Sequence, residues 1–100
     1  MISIHSEDTD LLFEGIMSLK SKDECYKFFE DLCTVNELIS MAQRFHVARD
    51  LYDGKTFLQI EAQTGTSSAT ISRVNRCFNY GSGGYKMVIE KLNGEDKSGN

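Results

Sequence analysis

One hundred residues, 40% hydrophobic and 26% charged, with neither proline nor tryptophan, make a single domain with a modest core and exclude the three-layer enzyme architectures that need more chain. The formal net charge of −4 looks unsuited to nucleic acid, so its distribution matters more than its sum. Residues 1–40 hold nine acids and three lysines, a balance of −6, whereas residues 41–91 hold seven bases and four acids, a balance of +3. A surplus of that size implies weak, salt-sensitive binding per subunit and favours a dimer that doubles the phosphate contacts. Cys25, Cys33 and Cys77 form no C-x-x-C pair, and an odd number of scattered thiols points to a reducing compartment. There is no basic-then-apolar leader at the start and no run near the roughly 18 apolar residues of a membrane span, so the expected location is the cytoplasm, with no membrane partner.

Taken in order, the acidic lead-in Asp8 to Asp10 suits a helix N-terminus, and Leu11, Leu12, Ile16 and Leu19 follow at helical intervals. Ser21 opens a second helix: with Glu24 it fits the S-x-x-E capping box, and Cys25, Phe28, Phe29 and Leu32 form an i, i+3, i+4, i+7 stripe. That stripe reads first as core, and in a sharper version as part of a dimer interface, because so small a chain offers little apolar surface of its own. Thr34 or Asn36 opens the longest helix, which extends through Asp53 until Gly54 ends it. Leu38, Ala42, Phe45, Arg49 and Tyr52 share one side, with Ile39, Met41, Ala48 and Leu51 widening the apolar surface.

Thr56 caps a short helix from Phe57 to Thr64, and Gly65 ends it in the positive-φ conformation that a residue without a Cβ adopts cheaply. Thr66, Ser67 and Ser68 then offer N-cap hydroxyls for a helix running from about Ser68 to Phe78. On that helix Ile71, Val74 and Phe78 fall on one arc and point inward toward Ile60, while Ala69, Ser72, Arg73 and Arg76 lie opposite. A face that is small and polar at its start and cationic further on suits close approach to base edges, with arginines reaching phosphates or guanines. Residues 57–78 therefore read as a helix-turn-helix whose second helix enters the major groove of double-stranded DNA. The run NYGSGG is a connector, Tyr85 to Leu92 a last helix with Tyr85, Val88, Ile89 and Leu92 on one face, and residues 93–100 a polar, disordered tail. The expected fold is all-α, six short helices in one domain over residues 1–92.

The segment ELISMAQRFHVARDLYDGKTFLQIEAQTGTSSATISRVNR resembles the Trp repressor superfamily, most closely its YerC/YecD-type branch. The resemblance covers more than half of the chain directly, and the two preceding helices fit the same order. It implies a six-helix subunit, an intertwined homodimer formed largely by the N-terminal helices, and transcriptional regulation through an operator. Carried onto these residues, it makes Ser68, Ala69, Thr70 and Ser72 contacts to bases, bridging waters and phosphate, with Arg73 nearby; Arg76 is added from the helix wheel alone. In the tryptophan-binding members two arginines flank the indole, a glycine beside the second leaves room for the ring, and a nearby serine helps hold the amino acid. Arg44 and Arg73 match the arginines, but Val74 stands at the glycine position and Cys77 at the serine. Arg44, Arg73, Val74 and Cys77 are thus the candidate effector pocket, with tryptophan not expected to fit: a valine clashes with the ring and a thiol is a poorer hydrogen-bond partner. No cofactor is implied and the small-molecule effector is left open.

Catalysis finds little support. His46 has Asp50 one helical turn later, but no serine or cysteine nucleophile is placed with the pair, and no Cys/His spacing suggests a metal. GSGG follows a helix rather than a strand and lacks the Lys-Ser/Thr of a phosphate loop. Two readings remain: a DNA-binding repressor, and a protein-interaction module that keeps the helix-turn-helix shape and docks through its acidic half.

Overall fold

The computed structural model describes residues 3–94, and among them there are six helices and no strand. The expected disorder of the polar tail concerns residues that, from 95 onward, lie outside the described ones. The chain divides into two compact units, one ending at Leu38 and the other beginning at Ile39.

In the first unit, α1 (Glu7–Met17) starts at Ser6, whose hydroxyl accepts the Thr9 N–H, and three acids occupy its first turn, where the helix dipole favours them. Leu19 lies beyond the helix, because the chain leaves it at Ser18, whose hydroxyl turns back to donate to the Gly15 carbonyl at 2.6 Å. Helix α2 (Lys22–Leu32) is capped by Ser21, which accepts from Glu24 N at 3.1 Å. The other half of the expected capping box is displaced: Glu24 Oε1 accepts from Lys20 N–H, one residue upstream of the cap, at 2.9 Å. Neither helix holds a buried residue. Phe28 and Phe29 are half-buried and meet edge to face at 5.6 Å, but Cys25 and Leu32, expected in the core, are exposed. Two amphipathic helices cannot enclose both of their apolar stripes within one short unit.

Helix α3 (Val35–Tyr52) begins at a reciprocal box: Thr34 Oγ1 accepts from Glu37 N at 3.1 Å and Glu37 Oε1 from Thr34 N at 2.8 Å, two orphan donors satisfied together. That settles Thr34, not Asn36, as the cap. In the second unit, α3 from Ile39 onward joins α4 (Phe57–Thr64), α5 (Ser68–Tyr80) and α6 (Gly84–Leu92). Val47, Ala48, Ile60, Ile71, Val74 and Ile89 form its core, with Phe45, Leu51, Tyr52, Phe78 and Tyr85 packed around them. Burying each of the larger aliphatic side chains is worth about 1.5–3 kcal/mol. Tyr52 and Phe78 meet edge to face at 6.4 Å, and Lys86 Nζ sits 5.0 Å over the Phe78 ring.

Helix α5 runs two residues further than its apolar arc, through Asn79 and Tyr80, and stops where Gly81 N–H closes on the Cys77 carbonyl. A Cβ at Gly81 would run into that carbonyl oxygen, so the stop requires glycine for space. Gly65 is required for another reason. Its φ is +71°, while a Cβ there would meet nothing within 4 Å. Gly65→Ala therefore suffers only the left-handed backbone and is expected to lose about 1–2 kcal/mol. Gly65→Asn is expected to lose less. Chemical denaturation of the three proteins measures both.

Candidate nucleic-acid interface

The helix-turn-helix is built by local side-chain chemistry. Thr56 and Gln59 form a capping box, Gln59 N donating to Thr56 Oγ1 at 3.1 Å and Thr56 N to Gln59 Oε1 at 2.8 Å. Together with Gly65 it bounds α4 at both ends, at the residues the sequence indicates. In the turn, the Thr64 hydroxyl donates to the Ile60 carbonyl at 2.7 Å, accepts Thr66 N–H at 3.1 Å and pairs with the Thr66 hydroxyl at 2.8 Å. Thr66 is buried, and its N–H and hydroxyl are both met inside the turn, as buried polar groups require. Of the three residues that offered a cap for α5, Ser67 fills the role: its Oγ accepts Thr70 N–H at 3.2 Å and lies 3.1 Å from Thr70 Oγ1.

Helix α5 then divides cleanly. Ile71 and Val74 enter the core, whereas Ser68, Ala69, Ser72, Arg73 and Arg76 are exposed. Thr70 is half-buried with its hydroxyl beside Ser67, at the side of the strip rather than on its crest. Neither arginine forms an ion pair among the described residues, so both guanidinium groups are available to an anionic partner. The small residues stand at the helix N-terminus, where unsatisfied N–H groups and the dipole favour phosphate, and the cations stand one and two turns along. This surface can hold a polyanion and bring a backbone close to base edges.

The four candidate effector residues are not alike. Arg44 on α3 is exposed, and so are Arg73 and Cys77 on α5, while Val74 is 1% exposed and belongs to the core with Ile60 and Ile71. A methyl-bearing side chain in close-packed surroundings leaves no room for an aromatic ring at that point.

Two buried residues do not follow from the sequence pattern. Val47 lies off the side of α3 drawn through Arg49, and that arginine is exposed; the inward face runs through Val47, Ala48 and Leu51. Asp50 is buried as well, and the sequence signal for it was the lysine five residues on, across a D-G turn. Its carboxylate lies 3.3 Å from Lys55 Nζ and 3.4 Å from His46 Nε2. No cluster of side chains able to hold a metal occurs among the described residues, and no described helix is long and apolar enough to cross a membrane.

Residues 7–93 match the profile of the Trp repressor protein family, a family of DNA-binding regulators. The uncharacterised protein YerC of Bacillus subtilis is 52% identical over 89 residues, covering 89% of this chain and 86% of its own. The crystal structure of a TrpR-like protein from Eubacterium eligens superposes with a TM-score of 0.87 at 51% identity, over 90% of this chain and 93% of that one. A proposed Trp repressor from Staphylococcus aureus gives the same TM-score at 42% identity, over 93% and 96%. Six helices in this order, a helix-turn-helix spanning α4 and α5 and these relatives together place the chain in the Trp repressor family, in its YerC-type branch.

Proposed function

We propose that the protein is a sequence-specific transcriptional regulator, a repressor, that binds double-stranded operator DNA as a homodimer through α5. The observation that carries this reading is the outward strip of α5, small and polar at Ser68, Ala69 and Ser72 and cationic at Arg73 and Arg76, on a helix held from behind by Ile71 and Val74. Ser68, Ala69 and Ser72 let the groove floor approach, Thr70 meets phosphate from the side, and the arginines reach phosphate or guanine. Two such helices in a symmetric dimer read half-sites about one turn apart, ~34 Å. The protein acts in the cytoplasm and has no catalytic role.

The dimer reading is supported by α1 and α2. Leu11, Phe13, Met17, Tyr26 and Leu32 are exposed in one chain, more apolar side chain than an isolated subunit ordinarily leaves in water. The same surface, with the −6 balance of residues 1–40, is what favours the competing reading of a protein-interaction module. The burial of Val74 in the core, at the position the resemblance gives to the glycine that makes room for the ring, supports a regulator that does not use tryptophan.

Arg73→Ala is expected to weaken DNA binding about tenfold or more and to lower the salt slope by about 1 if the residue meets phosphate. Anisotropy titrations on genomic duplexes at several salt concentrations measure both; unchanged affinity and slope would leave the interaction-module reading in its place. Light scattering is expected to return twice the 11.3 kDa chain mass, and a strict monomer would contradict the dimer. Isothermal titration with L-tryptophan up to about 1 mM is expected to show no binding heat, and micromolar affinity would refute the closed slot.

A further inference from the structure

Asp50 is the buried carboxylate of the second unit, with 7% of its side chain exposed, and nothing on the DNA-facing strip uses it. Its Oδ1 accepts from Lys55 Nζ at 3.3 Å, and the same ammonium donates to Gln63 Oε1 on α4 at 3.2 Å. The Lys55 main-chain N–H also donates to the Asp50 carbonyl at 3.0 Å, so the lysine is tied to α3 by both ends. The other carboxylate oxygen, Oδ2, is buried with no hydrogen bond, and His46 Nε2 stands 3.4 Å from it outside bonding geometry.

Burying a carboxylate is costly, and an apolar residue of similar size is often as stable there or more so. What an ion pair supplies that apolar packing does not is direction. Ile60 ties α4 to the core by contact that tolerates small rotations and slides, whereas an ammonium shared between Asp50 and Gln63 fixes one turn of α4 against one turn of α3.

We infer that Asp50 is a positioning residue for the helix-turn-helix: through Lys55 and Gln63 it holds α4, and with it α5, in register on α3. The inference rests on the DNA-binding reading for its consequence, not for its geometry. It also removes Lys55 from the phosphate contacts, since that charge is spent inward.

The test uses the full chain and two variants, Asp50→Asn and Lys55→Met, each read by native-state amide hydrogen exchange and by anisotropy on a duplex that the wild-type protein recovers from fragmented genomic DNA. Exchange is expected to quicken about tenfold in α4 and α5, with the amides of Val47, Ala48 and Ile89 unchanged. DNA affinity is expected to fall by a similar factor, about tenfold, with the salt slope unchanged, because no phosphate contact is lost. Either variant suffices if the other fails to fold. Exchange that quickens equally in every helix of the second unit would mark a general stability effect and overturn the inference. A salt slope lowered by about 1 in Lys55→Met would make the lysine a phosphate contact and overturn it too. If the wild type binds no duplex while the variants loosen α4 and α5 alone, the positioning role stands and the DNA-binding reading fails.

Discussion

The burial of Ile60, Ile71 and Val74 together with Val47, Ala48 and Ile89 decides which face of α5 is left for a partner. A helix turns about 100° per residue, so rotating α5 by a single position would carry Val74 or Ile71 toward water and an arginine toward the core. Each error costs several kcal/mol, through lost burial on one side and an unpaired buried charge on the other. The character of the outer strip is therefore a consequence of the inner one. The buried and the exposed faces are set together by the same thirteen residues.

Local chemistry makes that arrangement possible without being enough for it. Helix α4 has eight residues, below the length at which an isolated helix holds together in water. Its capping box, its left-handed glycine and the Thr64–Thr66 hydroxyl pair satisfy groups that would otherwise be orphaned, yet the helix persists because Ile60 is in the core. The motif is thus held by the core of the second unit as well as by its own caps.

Much of this was legible in the sequence where a residue type has a single physical use. Thr56 and Gly65 marked both ends of α4 because a hydroxyl just before a helical run caps a helix start and a glycine after it closes a helix end; the reciprocal bond to Gln59 is what the structure adds. The end of α5 was harder: a run rich in glycine indicates a break but not which glycine makes it, and Gly81 is distinguished only by the Cys77 carbonyl in its way. The stripe of Cys25, Phe28, Phe29 and Leu32 showed amphipathicity, which periodicity reports, but not where the apolar side finds its cover, which it does not. Asp50 was hidden because an acid counts as exposed until its partner is known. The outer strip of α5 was legible as a pattern, and so was the place of Thr70 nearer its side, which the helix wheel indicates; the structure adds the Ser67 hydroxyl beside it.

Val74 has a consequence for how such a protein can change over time. Replacing it with glycine would take a side chain out of a close-packed core and put the most flexible backbone into a helix interior, together about 2–4 kcal/mol, a large part of what a domain of this size has in hand. A subunit with that gap would recover the loss only when something occupied it, so its folded population would follow the concentration of the occupant. With Val74 in place the chain completes its own core at this position, and that part of α5 needs no occupant to be fully packed.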